Sequence, residues 1–267
     1  MPIAFFVELW YNLEKELLTF LYQTFWVLFV FFEVIEMETT KKPIFYTELS
    51  YVLGLVIMAF GAAFTELAGF GMSMVVAPTY ILHLQVSQFL PWFSFGVAEY
   101  CVQALLILIT VLVMRRFKLS YLFSFVTAIL YGLVLDGAIL LLSSFPTEGI
   151  AWRIVWFSIG TLLCSLAVSL FFHTYISPEA YELIVKEFSQ RFSININKVK
   201  TAYDCVSTLI AIILSFAFFG FGIFRGVGLG TVFCALINGF LIGRISALLE
   251  HLFDFRDGLM LEKYFQM

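Results

Sequence analysis

The sequence predicts an all-α, polytopic membrane protein, and three observations support this: its composition, its long apolar runs and the placement of its basic residues. Of its 267 residues, 62% are hydrophobic and 13% are charged, whereas soluble domains average about 45–50% apolar and about 25% charged residues. The mean hydropathy is +0.99. Aromatic residues make up 19% of the chain, which suits lipid and its interfaces. We therefore expect the lipid bilayer to be its main environment.

Six runs are long enough to cross a membrane, since a transmembrane helix needs about 20 mainly apolar residues. They cover residues 45–66, 94–114, 119–142, 153–172, 202–220 and 229–249. An earlier run, residues 17–35, is also apolar but is bracketed by charges. We expect residues 1–36 to be a separate N-terminal extension. It is either a lone extra helix or an upstream extension of the reading frame before Met37, which is followed by two lysines.

Basic residues concentrate on one side of the predicted spans, and cytoplasmic loops of membrane proteins are enriched in Lys and Arg. Alternating the spans places eleven basic residues on that side and two on the other. The eleven are Lys41, Lys42, Arg115, Arg116, Lys118, Lys186, Arg191, Lys198, Lys200, Arg256 and Lys263, and the two are Arg153 and Arg225. Both ends of the six-span core should be cytoplasmic, with residues 251–267 as a cytoplasmic C-terminal tail.

The six spans are predicted to form two repeats, residues 37–147 and 148–250. Gly132 aligns with Gly239, 107 positions later, and Pro78 aligns with Pro178, 100 positions later. Because each half holds three spans, the second half would cross the membrane inverted, as in many secondary transporters. The alternative is a chance similarity between apolar helices.

The long connections of the two halves differ in character. Residues 178–191 predict an amphipathic helix on the cytoplasmic surface, because Pro178 favours a first helical turn and apolar side chains then alternate with charged ones. The counterpart, residues 78–89, carries only His83 and neutral polar groups. We expect it either to lie in the outer interface or to fold back as a re-entrant element that lines a cavity.

Three carboxylates are expected in one layer near the outer face, because a helix rises about 1.5 Å per residue and the apolar core is about 30 Å thick. They are Glu66, Glu99 and Asp136, and with Gln103 they are the predicted substrate-binding residues. Ionisable groups inside a membrane usually face a bundle interior or a watery cavity. Asp136 is the strongest candidate, since it lies deeper than a helix-end residue. The alternative is that Glu66, Glu99 and, on the inner side, Asp204 are interfacial residues at helix ends.

Two further sets of residues are expected to have structural roles. Asp204 and Arg244 should lie at a similar depth near the inner face, where each could neutralise the other as an ion pair. Six small or polar residues are predicted to allow close helix packing. They are Gly132, Gly228, Gly230, Thr231, Asn238 and Gly239.

Several classes of function are disfavoured by the sequence. The four cysteines lie far apart without metal-ligand spacing, and no run of basic residues indicates nucleic-acid binding. The glycines of residues 220–230 lack the preceding strand and the following lysine of a nucleotide-binding loop. We therefore predict no cofactor, no metal site and no nucleic-acid partner, and we do not expect an enzyme.

Several short motifs are each weak evidence for a family, but together they form a moderately specific set. They are Arg115-Arg116-Phe-Lys118 and Gly132-x-x-x-Asp136 in the first half, and Pro178-Glu-Ala-Tyr-Glu182, Lys200-Thr-Ala-Tyr-Asp204, Gly228-Leu-Gly-Thr231 and Asn238-Gly239 in the second. Over about residues 48–249, the sequence resembles the YczE/YyaS/YitT group of bacterial membrane proteins. The resemblance implies a six-span protein of the bacterial inner membrane and implies no particular activity.

The function expected from these observations is that of a small-molecule transporter or permease with its site between the two repeats. The outer carboxylates favour a cationic or proton-coupled substrate, so an unknown small-molecule ligand is the expected partner. One alternative is an accessory protein that binds another membrane protein through residues 178–191. A membrane enzyme acting on lipid is a third, and a homo-oligomer is also compatible with the sequence.

Overall fold

The computed structural model describes residues 42–118 and 120–259, so the predicted helix at residues 17–35 and the end of the tail lie outside the described residues. The described part holds eight α-helices and two short strands within a compact unit that begins at Ile44. In chain order they are β1 (Ile44–Tyr46), α1 (Thr47–Ala68), α2 (Ala77–Val86), α3 (Phe95–Met114), α4 (Ser120–Leu142), α5 (Ile150–Phe172), α6 (Ala180–Phe192), α7 (Ile196–Phe219), α8 (Leu229–Leu252) and β2 (Asp254–Arg256).

Six of these helices, all except α2 and α6, are long and apolar enough to cross a membrane. They confirm the prediction of an all-α, multi-pass membrane protein. The largest difference in bounds is at α7, which begins at Ile196 rather than 202 because the Asn195 side chain caps it by accepting a hydrogen bond from the Asn197 amide. Helix α5 is central: 61% of its most apolar stretch is buried, against 22–39% in the other five spans.

The two strands join the beginning and the end of the six-span core. They pair in parallel, with Ile44 opposite Asp254. Nearby, the Glu48 carboxylate accepts hydrogen bonds from the amides of Gly258 and Leu259 and from the Tyr175 hydroxyl. The start of α1, the end of α5 and the end of α8 therefore lie together, as an even number of crossings requires. We call this the basic end of the bundle and the opposite one the distal end.

The helix contacts repeat between the two halves. Helix α1 packs along α5, its counterpart in the second half, and α1 also contacts α4 as α5 contacts α8. The short helix of each half packs against the middle span of the other half, α2 against α7 and α6 against α3. This exchange of partners is the contact pattern expected of the predicted repeat.

Glycines bring α1 and α5 into backbone contact at their crossing. A Cβ atom at Gly61 would lie 2.8 Å from the Cys164 amide nitrogen, and one at Gly160 would lie 2.8 Å from the Thr65 amide nitrogen. Small residues permit this close approach in membrane bundles. The central crossing therefore depends on two glycines that the sequence analysis did not single out.

The two short helices enter the bundle from opposite ends, and their first turns meet. The Thr79 hydroxyl of α2 lies 3.2 Å from the Tyr181 hydroxyl of α6. The prediction that residues 178–191 lie on the surface is therefore wrong for the first turns of α6, where Tyr181, Glu182 and Leu183 are buried. Burial on every side is possible because Glu182, the charged residue among them, finds a cation inside the protein.

Candidate functional site

A cavity of about 90 Å³ lies where the two short helices meet. Its walls come from both halves: α1, the segment 71–76, α4, α5, the start of α6, α7 and α8. Since a water molecule in the liquid occupies about 30 Å³, the space suits a few waters, an ion or a small organic cation. Its polar lining includes Thr65, Thr161, Glu179, Tyr181, Glu182, Lys200, Thr231 and Asn238.

Lys200 is the cation of a buried charged cluster beside this cavity. Its side chain is 1% exposed, and its Nζ lies 2.8 Å from Asp204 Oδ1 and 3.5 Å from Glu182 Oε1. Lys200 and Asp204 are one turn apart on α7 and therefore share a face. The distribution of basic residues had assigned Lys200 to a cytoplasmic loop. In the structure it is instead a buried residue of α7.

Asp204 has a different ion-pair partner from the one that was predicted. Its partner in the structure is Lys200 on the same helix, whereas Arg244 was the expected partner. The Arg244 guanidinium lies over the ring of Phe240, 5.3 Å from its centroid. Matching depth along two helices placed Asp204 and Arg244 in one layer, but it did not determine which side chains face each other.

Glu179 lies at the N-terminal cap of α6 and lines the cavity. Its Oε1 atom is buried and has no hydrogen-bond partner among the described residues. Burial, with the negative charges of Glu182 and Glu99 nearby, raises the pKa of Glu179 well above its usual range. The carboxyl group is therefore poised to hold a proton or to accept a cation.

Glu99 reaches the same region from the start of α3. Its Oε2 atom accepts a hydrogen bond of 2.6 Å from the Tyr181 hydroxyl, and Gln103, one turn further along α3, is 4% exposed. Burial and the charge of Glu99 raise the pKa of Tyr181, so Tyr181 stays a neutral donor. Of the predicted substrate-binding residues, Glu99 thus contacts a side chain that lines the cavity, Tyr181, and Gln103 lies one turn from Glu99 on the same helix.

The other two predicted binding residues lie elsewhere. Glu66 and Asp136 are both exposed on the surface of the bundle and do not line the cavity. Counting residues along a helix gives depth but not the direction in which a side chain points. Asp136 lies on a helix of which only 22% of the most apolar stretch is buried, so most of its positions face outward.

Most of the predicted packing residues make close contacts at helix crossings. A Cβ atom would lie 2.0 Å from Phe70 O at Gly228, 2.6 Å from the Phe157 ring at Gly230 and 1.9 Å from Thr201 Oγ1 at Gly239. A Cβ atom at Gly132 would meet no heavy atom within 4 Å among the described residues, so Gly132 mediates no close packing there. The mostly exposed α4 simply has few neighbours at this position.

Thr231 and Asn238 have a further role besides packing. The Thr231 hydroxyl donates to Met72 O at 2.6 Å, and the Asn238 Oδ1 atom accepts from the Ser165 hydroxyl at 2.7 Å. Both side chains also line the cavity. They fix the walls of the site from the second half of the chain.

Sequence reasoning missed Glu179, Glu182 and Lys200 as site residues because it assigned them to a surface helix and its basic flank. One signal was available. Lys200 and Asp204 are four residues apart at the start of a span, where a buried carboxylate needs a cation. Only the tertiary contact with α6 could show that Glu182 joins them.

The comparisons with known proteins identify a family and leave the activity open. No curated protein and no solved structure matches the chain. A family of unknown function, DUF6198, matches residues 45–247, which includes all six membrane-spanning helices except the last residues of α8. This match does not name the YczE/YyaS/YitT group, so the resemblance to that group stays a prediction. Because the match covers most of the chain, including the residues of its buried site, the chain belongs to the DUF6198 family.

Proposed function

We propose that the protein is a transporter for a small cation, coupled to protons, with its site in the central cavity. The observation that carries this proposal is that buried carboxylates outnumber buried cations in the charged cluster. Glu182 and Asp204 both pair with one ammonium group, that of Lys200. The negative charges of Glu182 and Glu99 also act on the buried Glu179. Four carboxylates and one ammonium cannot all be ionised in a poorly solvated site without further positive charge. Bound protons or a bound cation supply it.

The position of the cavity also supports transport. Secondary transporters bind substrate near the middle of the membrane, between inverted repeats and beside helices that do not span it. Here the short helices α2 and α6 begin at the cavity, and both halves contribute its walls. In the proposed orientation the basic end faces the cytoplasm of a bacterial inner membrane, because of the excess of lysine and arginine there.

Exchange of protons and cation follows from the same groups. When Glu179 holds a proton, the cluster is closer to neutral, and arrival of a cation would release that proton. The hydrogen bonds of Tyr181 to Glu99 and with Thr79 connect α6 to α3 and α2. A change in the charge of the cluster can therefore alter the contact between the two short helices.

Purified protein in liposomes that contain a pH-sensitive dye tests this proposal. Gradients of Na⁺, K⁺, Li⁺ and methylammonium would be applied in turn, and at least one should drive proton movement that empty liposomes lack. Glu179→Gln should abolish this flux, because it removes the group that exchanges the proton while keeping its shape. Glu66→Gln and Asp136→Asn are matched controls, since both residues are exposed outside the cavity.

Two outcomes would contradict the proposal. One is the absence of proton movement with every tested cation in liposomes that hold folded protein. The other is an unchanged flux in the Glu179→Gln variant.

A further inference from the structure

A second pocket, of about 350 Å³, lies at the basic end, away from the central cavity. It is formed by the turn between α3 and α4, the start of α4, residues 175–178 and the later turns of α6. We call it the basal pocket. Its polar lining consists of Lys118, Ser120, Tyr175, Ser177, Lys186, Glu187 and Gln190.

The charges in the basal pocket leave one cation uncompensated. Glu187 is its single lining carboxylate and is paired with Lys118, with 3.1 Å between Oε1 and Nζ. Lys186 donates to the Thr174 carbonyl, and no carboxylate lies within 4 Å of it in residues 42–118 and 120–259. Burial lowers the pKa of Lys186 to about 8. An ammonium group so placed is costly unless an anion joins it.

The pocket also offers unused hydrogen-bond donors. An ammonium group has three N–H donors, and one contact is seen for Lys186 in the described part of the chain. The hydroxyls of Ser120 and Ser177 make no side-chain hydrogen bond to other described residues. Two ammonium groups and two hydroxyls around a space of this size match the several oxygen acceptors of a phosphate group.

We propose that the basal pocket binds a phosphate-bearing anion, with Lys186 as its principal ligand and Lys118, Ser120 and Ser177 as further donors. The anion is either a lipid headgroup or a soluble phosphate compound. Helix α6 lines this pocket with Lys186 and the central cavity with Glu182. Binding at the basal pocket therefore fixes the helix that carries part of the central site. This inference does not depend on transport.

Thermal unfolding of the purified protein in neutral detergent tests the site, with inorganic phosphate as the probe. At about pH 7, below the Lys186 pKa of about 8, phosphate should raise the Tm in a saturable way. Chloride at equal ionic strength should not. Lys186→Gln should weaken the apparent phosphate affinity by about tenfold or more, since it removes a charge-assisted contact. Lys198→Gln, at an exposed lysine, should leave the affinity unchanged.

The same variant separates a binding role from a structural one. Lys186→Gln removes a partly buried charge that is paired with no carboxylate among the described residues, so without phosphate its Tm should equal or exceed that of the wild type. If Lys186→Gln fails to fold, Lys118→Gln serves instead. It releases Glu187 to neutralise Lys186, and it should also weaken phosphate binding.

Nanodiscs distinguish the two sources of phosphate. If phosphatidylglycerol raises the Tm relative to phosphatidylcholine and removes the effect of added phosphate, the ligand is a lipid headgroup. If added phosphate still raises the Tm in phosphatidylglycerol, the ligand is soluble. The proposal is overturned if phosphate has no effect beyond chloride in detergent, or if it stabilises the wild type and both pocket variants equally.

Discussion

Lys200 and Asp204 form an ion pair whose energy depends on its burial. An exposed pair of this spacing on a helix contributes about 0.3–0.5 kcal/mol. Here the two side chains are 1% and 0% exposed, so removal of one partner leaves a charge without solvent. Breaking such a buried pair typically costs about 3–5 kcal/mol, whereas replacing both charges costs much less.

Lys200→Met should therefore destabilise the protein more than Asp204→Asn does, because it leaves both Asp204 and Glu182 without their cation. The triple variant Lys200→Met, Asp204→Asn, Glu182→Gln should recover much of the loss. The measurement is the Tm in detergent, with Lys198→Met as a control at an exposed lysine. Strictly additive changes in Tm would show that the three charges do not interact.

Glu179 gives the protein a pH dependence with a definite sign. Its pKa is raised in the folded state, so above about pH 4.5, the ordinary value, the unfolded chain releases this proton while the folded chain keeps it. The contribution of Glu179 to the free energy of unfolding therefore falls as pH rises from about 4.5 toward the pKa of the folded state. Glu179→Gln should remove this fall. The Tm of wild type and variant should agree near pH 4.5 and diverge above it; parallel curves would contradict the prediction.

For single residues, the sequence shows which side chains could bind a cation or a proton. It does not show in which direction these side chains point. Glu99 and Asp136 are both carboxylates within apolar spans, and depth counting treats them alike. Glu99 turns toward Tyr181, whereas Asp136 is exposed. That difference depends on how each helix is rotated about its axis relative to its neighbours. The residues around one position do not determine this rotation.

Whole helices were more predictable than single side chains, because each span is determined by its own run of apolar residues. All six spans were predicted close to their observed positions. Helix α6 was predicted to lie on the surface, whereas its first turns are buried. Its Ala-Tyr-Glu-Leu-Ile-Val segment looks amphipathic when read alone. It is buried because Lys200, 18 positions after Glu182, provides an internal partner for the carboxylate.

The crossing of α1 and α5 should be sensitive to small additions. Gly160→Ala would place a methyl group 2.7 Å from Gly61 O, and we expect it to destabilise the protein by about 1–3 kcal/mol through overpacking. Gly132→Ala is the matched control. Because no heavy atom of the described residues lies within 4 Å of the added methyl group, this change should be neutral, or stabilising by up to about 1 kcal/mol through helix propensity. Equal Tm values for both variants would argue against the close crossing.

The whole molecule brings two similar halves together around the charged cluster, with most basic residues at one end. If the repeat is inverted, positions equivalent in sequence lie on opposite sides of the membrane. The short helices illustrate this: α2 enters from the distal end and α6 from the basic end, and they meet at Thr79 and Tyr181.

A labelling experiment tests this arrangement. In a variant without native cysteines, Gln85→Cys in α2 should react with a membrane-impermeant thiol reagent on intact cells. Arg116→Cys and Lys198→Cys should react only after the cells are opened. Labelling of Gln85→Cys and Lys198→Cys from the same side would contradict the inverted repeat.

The pairing of β1 with β2 has a mechanical consequence for the two halves. One strand precedes the first span and the other follows the last, so their hydrogen bonds join the two halves at the basic end, in addition to the helix contacts along the bundle. If the halves rotated rigidly about this pair of strands, displacement would grow with distance along the bundle. Helix α8, with 24 residues, extends about 36 Å. A rotation of about 10° at the strands would therefore move the far end of a helix by about 6 Å, wide enough to admit water beside the turn at residues 220–228.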